Sequence, residues 1–71
     1  MLVILDETYL KCENRNKRAV ELQRQGYLIE RWTARRVFVP PDQVRDLNGS
    51  GVRDRQVFLP EVFRLRAMKV V

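Results

Sequence analysis

Residues 13–41 read ENRNKRAVELQRQGYLIERWTARRVFVPP, and this stretch decides the predicted fold. Its first half carries four side chains at helical spacing that form one predicted buried face, Ala19, Val20, Leu22 and the stem of Gln23. Gly26 follows, and a glycine just past the last periodic residue commonly ends a helix. The second half is rich in aromatic and β-branched residues, which favour strands. The stretch therefore predicts a helix that ends at Gly26 and is followed by β structure.

The sequence allows two interpretations of the start of this helix and two of the shape of the β segment. Asn14 or Asn16 is placed to cap the helix, because an asparagine side-chain oxygen accepts from the free amides of the first turn. Residues 27–40 predict a hairpin of two short strands that reverses at Thr33-Ala34. The turn lacks the Asn-Gly or Asp-Gly pair that favours tight hairpins, so one long bent strand is the alternative.

Three flanking segments complete the predicted fold. Residues 2–5 have the composition of a short strand, and residues 6–11 predict a short helix capped by its first aspartate. Residues 41–48 predict another short helix, which a proline opens and an Asn-Gly pair ends. Residues 61–70 carry apolar side chains both at helical spacing and in strand-like alternation, and we favour the helix.

Positive charge is concentrated between Arg15 and Arg36. This segment holds seven Lys or Arg residues against Glu21 and Glu30, a net charge of +5 that equals the charge of the whole 71-residue chain. The remaining residues carry seven basic and seven acidic groups, so they add no excess. A local excess of this kind attracts a phosphate backbone and predicts nucleic-acid binding.

Composition excludes several classes of function. A chain of 71 residues with 45% hydrophobic and 32% charged residues predicts a single folded domain, residues 1–71. Without histidine, and with Cys12 as the only cysteine, it predicts no internal disulfide, no usual zinc site and no general base near neutral pH. We therefore expect no enzyme activity and no cofactor. The longest apolar run, residues 1–5, is far shorter than the ~20 residues of a membrane span, and we expect a cytoplasmic protein.

Four features of residues 16–47 carry a family resemblance: the helix KRAVELQRQG, the step Tyr27-Leu28, the pair Arg35-Arg36 and the run VFVPPDQVRDL. On these features the segment resembles the small winged-helix proteins of the phage excisionase and Cox type, and the related MerR-like modules. The resemblance covers about half of the chain. It implies a small α+β, winged-helix-like domain that binds double-stranded DNA as a homo-oligomer, and that directs a recombinase or represses a promoter. A contact with that recombinase or with another host protein would belong to the same function.

The polar face of the predicted helix lies opposite its apolar face, so its side chains can enter a groove about 12 Å wide while the helix stays packed. The predicted DNA-binding residues are Arg15, Lys17, Arg18, Glu21, Arg24, Arg31, Arg35 and Arg36. Among them Glu21 would accept from a cytosine amino group or orient an arginine, unless it only pairs with Lys17 on a solvated face.

A second hypothesis belongs to another class of function. The chain would then be a small α+β module that binds and inhibits a host enzyme. Residues 2–5, 19–25 and 27–39 would form the contact face, and the arginines would meet an acidic protein surface.

Overall fold

The computed structural model describes residues 1–46 and 57–71, and it shows a helix packed on a three-stranded sheet. In chain order the elements are β1 (Leu2–Tyr9), α1 (Cys12–Arg24), β2 (Leu28–Val39), a 3₁₀ turn (Pro41–Gln43) and β3 (Val57–Val70). The predicted α+β class is therefore confirmed. The winged-helix arrangement is not confirmed, since α1 is the one α-helix in the part of the chain that the structure describes.

β3 forms the centre of the sheet and pairs antiparallel with β1 on one side and with β2 on the other. Pairing with β1 ends at Tyr9 and Phe63, whereas pairing with β2 continues to Val39. Residues 34–39 and 57–62 therefore form a two-stranded arm beyond the end of β1. α1 connects the two outer strands, which run parallel to each other on either side of β3.

α1 covers one face of the sheet, which we call the helix side; the opposite face is the open face. The core between helix and sheet consists of Tyr9, Ala19, Leu22, Leu65 and Ala67. The predicted burial of Ala19 and Leu22 is confirmed, since each is 1% exposed. The predicted burial of Val20 and Gln23 is wrong. The sheet meets the helix along the line through Ala19 and Leu22, and successive residues point about 100° apart, so Val20 turns away.

α1 begins earlier than predicted and ends where predicted. It starts at Cys12, the preceding Lys11 is extended, and no side-chain oxygen of the helix caps it, so the predicted caps Asn14 and Asn16 are wrong. At the other end Gly26 has a φ of +93°, a left-handed conformation that glycine adopts without steric cost. The amides that follow the helix bond back to carbonyls of its last turn.

The structure replaces two predicted helices with strands. Residues 6–9 belong to β1 and residues 61–70 belong to β3, so both predicted helices are wrong and the strand alternative for residues 61–70 is confirmed. Leu65 is buried on the helix side, while its neighbours Arg64 and Arg66 lie on the open face. Cross-strand pairs with the two neighbouring strands stabilise this segment as a strand, which agrees with the alternation in its sequence.

β2 is one long strand, so the predicted reversal at Thr33-Ala34 is wrong and the alternative is confirmed. Its register is unbroken, although Arg36 has a φ of 54°. The pairing skips Arg36 and Pro60 and resumes at Val37 and Leu59. Pro60 has no N–H to donate to the ladder, so the strand can deform there at low cost. The helix predicted for residues 41–48 is reduced to the 3₁₀ turn, and its last two residues lie outside the described residues.

Candidate functional site

Three exposed arginines lie along β2, and we call Arg31, Arg35 and Arg36 the β2 arginines. The register places Arg31 opposite Leu65 and Arg35 opposite Glu61, so both side chains leave the sheet on the helix side. Arg35 Nε lies 3.7 Å from Glu61 Oε1, a loose pair whose arginine side chain is 79% exposed. Within the described residues, Arg31 and Arg36 form no ion pair. Most of the charge of the β2 arginines is therefore open to an external anion.

The solvent-facing side of α1 adds two more exposed cations, Lys17 and Arg24. Glu21 is exposed as well, and its Oε1 accepts from Arg18 Nη1 at 2.9 Å rather than from Lys17. Six of the eight predicted DNA-binding residues are thus exposed on two neighbouring elements, and the other two, Arg15 and Arg18, are partly buried.

Arg15 and Arg18 make contacts that hold the fold together. Arg15 Nη1 donates to the backbone oxygen of Trp32 at 3.3 Å, and its guanidinium lies 5.4 Å from the centre of the Phe63 ring. Arg18 Nε donates to Glu7 Oε1 at 3.0 Å. These contacts join α1 to β2, β3 and β1, so both side chains serve the packing of the helix on the sheet.

Glu7 is the centre of a charged cluster at the edge of the helix side. Its side chain is only 2% exposed and accepts from Arg18, from Arg45 Nη2 at 3.2 Å and from the Tyr9 hydroxyl at 2.7 Å. Burial alone would raise the pKa of Glu7, but the hydrogen bonds from Arg18 and Tyr9 and the two positive charges lower it. Burial and the neighbouring carboxylate raise the pKa of the Tyr9 phenol. Glu7 is therefore an anion that ties three elements together.

Residues 40–46 cross from the end of β2 to the outer edge of β1. The Arg45 amide donates to the Thr8 carbonyl at 2.9 Å, and the Val44 side chain is buried. The Asp46 carboxylate accepts from the amides of Leu10 at 2.6 Å and Lys11 at 2.9 Å, just before α1. Asn14, predicted as a cap, also donates its side-chain amide to Asp46 at 3.0 Å. Burial would raise the pKa of Asp46, but these hydrogen bonds lower it.

The crossing segment and the open face enclose a groove of about 590 Å³, which we call the open-face groove. Its floor comes from β1, β2 and β3, and its rim comes from the crossing segment. The residues that face it include Thr8, Trp32, Asp42, Gln43, Arg64 and Arg66. Trp32 is 38% exposed, and the Arg66 guanidinium lies 6.0 Å from its ring centre.

The other end of the open face is apolar. The register brings together five side chains of this open-face apolar row, Leu2, Ile4, Leu28, Met68 and Val70. Leu28 is 72% exposed and Val70 is 78% exposed, so α1 shields neither of them. A contiguous apolar surface of this kind commonly marks a contact with another molecule.

Sequence reasoning missed Glu7, Asp46 and Arg64. Asp46 and Leu10, which are in contact, are 36 residues apart in sequence, so no local sequence pattern predicts their contact. The position of Arg64 could have been predicted, because the alternation in residues 61–70 places Arg64 and Arg66 on one face if the segment is a strand.

The described ranges contain no cluster of three or more His, Cys, Asp or Glu side chains placed to hold a metal ion. Among the described residues, no helix has the length and apolar character required to cross a membrane. Comparison with protein-family models, with curated proteins and with solved structures finds no match. Any assignment of function therefore depends on the geometry and charge of the surfaces described above.

Proposed function

We propose that the protein binds double-stranded DNA without performing chemistry on it. The β2 arginines would contact phosphates, while the exposed side of α1 would face a groove. The observation that carries this proposal is the set of exposed, largely unneutralised arginines along β2 beside the exposed cations Lys17 and Arg24.

The spacing of the β2 arginines suits a duplex. Arg31 and Arg35 are four residues apart on one strand, which at 3.3 Å per residue separates their Cα atoms by about 13 Å. This is close to the ~12 Å width of the major groove, so the two side chains can reach phosphates on opposite sides of it. Contacts of this kind position a protein on DNA and contribute little sequence preference.

The helix would supply any sequence preference. Lys17 and Arg24 are free to reach base edges, whereas Glu21 approaches DNA together with the Arg18 guanidinium that it holds. This arrangement supports the orienting role expected for Glu21 more than direct contact with cytosine. An excisionase-like role in recombination or repression would follow from such binding, and its support is the sequence resemblance alone.

A salt series with two matched variants tests the proposal. Fluorescence anisotropy of a labelled duplex should give an affinity that falls linearly with salt on a log–log plot. The double variant Arg31→Gln/Arg35→Gln should reduce the slope by roughly 0.9 for each phosphate that the protein no longer neutralises. The control Lys11→Gln/Arg66→Gln removes the same charge from exposed positions outside β2, with Arg66 on the open face, and should retain the wild-type slope. Equal slopes for both double variants would overturn the assignment of β2, and absence of duplex binding would overturn the function.

The open-face apolar row favours a second class of function, contact with protein. We propose that a second copy of the chain covers this row, in line with the homo-oligomer expected from the sequence. Sedimentation over a concentration series should show dimers of the wild type and monomers of Ile4→Ser/Leu28→Ser. The control Val20→Ser changes an apolar residue that is 46% exposed on α1 and should still dimerise. A wild type that stays monomeric throughout would refute this second proposal.

A further inference from the structure

The open-face groove holds an arginine with no partner for one of its buried donors. Arg64 Nε is enclosed by protein, and none of the described residues accepts from it. A buried N–H without an acceptor costs free energy. Because Nε is enclosed, an anion in the groove would bond to the terminal nitrogens of Arg64 and not to Nε. A guanidinium prefers a planar or tetrahedral oxyanion that takes two parallel hydrogen bonds.

Two of the three carboxylates that line the groove, those of Asp6 and Glu7, are already neutralised, and the third, Asp42, lies on the rim without an ion pair to any described residue. Asp6 Oδ1 accepts from Arg66 Nε at 2.8 Å, and Glu7 accepts from Arg18 and Arg45. Arg64 forms no ion pair with any described residue. The positive charge of Arg64 is therefore the one that an entering anion meets on the floor of the groove.

Trp32 gives the groove an aromatic surface next to that charge. It stands directly opposite Arg64 in the pairing of β2 with β3, so both side chains point to the open face. An indole flanked by guanidinium groups stacks well against nucleobases. Every base presents a π face, so this stacking does not depend on which base is bound. Asp42 and Gln43 on the rim offer an acceptor and an amide for the polar edge of a base.

We propose that the open-face groove binds a nucleobase that carries a phosphate, with the base stacked on Trp32 and the phosphate on Arg64. The ligand could be a free mononucleotide or a nucleotide of a single strand, which present the same chemistry. The groove lies on the face opposite to the exposed side of α1, and it acts independently of the duplex contact proposed for the β2 arginines.

Trp32 is the only tryptophan of the chain, so its fluorescence reports on the groove directly. Titration of the full chain with a mononucleotide should quench the emission, and inorganic phosphate at the same concentration should not. A single-stranded oligonucleotide that binds more tightly than the mononucleotide would identify a strand as the source. A mononucleotide that binds at least as tightly would identify the free nucleotide.

Variants separate stacking from charge. Calorimetry should show Trp32→Ala binding the mononucleotide roughly 5- to 150-fold more weakly, the reduction expected for one stacked base, while Trp32→Phe retains most of the affinity. Arg64→Gln should weaken binding of the nucleotide but leave binding of the free nucleoside unchanged. Arg31→Gln/Arg35→Gln, which tests duplex binding, should bind the mononucleotide as the wild type does. Equal binding of phosphate and nucleotide, or no binding of either nucleotide or single strand, would overturn the proposal.

Discussion

Replacing Glu7 by glutamine should destabilise the fold strongly, although the substitution keeps the shape of the side chain. Glu7 is 2% exposed and accepts hydrogen bonds from Arg18, Arg45 and the Tyr9 hydroxyl. Glutamine removes the charge and turns an amide NH₂ toward one of the donors. Breaking a fully buried pair costs about 3–5 kcal/mol. Because Arg18 and Arg45 are 29% and 59% exposed and can regain water, we expect about 2–3 kcal/mol.

Urea unfolding followed by circular dichroism measures this change, and Glu21→Gln is the matched control. Glu21 is bonded to the same Arg18, but its side chain is 59% exposed, so its replacement should cost at most about 0.5 kcal/mol. Equal midpoints for the two variants would refute the role given to Glu7.

The pH dependence gives a second readout of the same cluster. The pKa of Glu7 is lowered from its ordinary value of 4.5, so the unfolded chain binds this proton more readily than the folded one. The stabilisation by Glu7 is therefore complete above pH 4.5 and is lost as the pH falls through the lower pKa of the folded state. Wild-type stability should fall in acid more steeply than that of Glu7→Gln, which lacks the contribution of Glu7 but retains the similar contribution of Asp46.

Three further substitutions, with Val20→Ala as a control, test the packing of α1 and its ends. Leu22→Ala should cost about 2–5 kcal/mol in urea unfolding because Leu22 is 1% exposed, whereas Val20→Ala at a 46% exposed position should cost well under 1 kcal/mol. Gly26→Ala should cost about 1–2 kcal/mol because of the positive φ, since the added methyl would meet only the Lys69 side chain at 3.7 Å; an unchanged midpoint would contradict this. Asp46→Ala should cost about 1–2 kcal/mol and speed hydrogen exchange of the Leu10 and Lys11 amides; protected amides in the variant would contradict this.

Local patterns predicted the helix better than the strands, including the central strand β3. The helical spacing of the apolar residues in α1 and the glycine that ends it are local signals, which do not depend on the rest of the chain. The burial of Ala19 and Leu22 could therefore be predicted. The segments at 6–9 and 61–70 are strands because each pairs with a partner far away in sequence, which no local window contains. The same limit applies to Asp46, whose contact with Leu10 caps the junction before the helix.

In the candidate site too, some features could be predicted from the sequence and others could not. The exposure of the β2 arginines follows from their charge and could be predicted, whereas the internal use of Arg15 and Arg18 could not. Those two arginines belong to the same basic run as Lys17, and only the position of the sheet decides which of them meets Glu7 or Phe63. The open-face groove depends on a crossing segment that closes over β3, so it has no signature in the sequence.

The central claim is that duplex DNA contacts the helix side along β2, and nuclear magnetic resonance of ¹⁵N-labelled protein tests it most directly. Adding a short duplex at low salt should shift the backbone amide and Nε signals of Arg31 and Arg35, together with signals from the exposed side of α1. Signals from the open-face apolar row should stay in place. Shifts confined to the open face, or no shifts at all, would contradict the account.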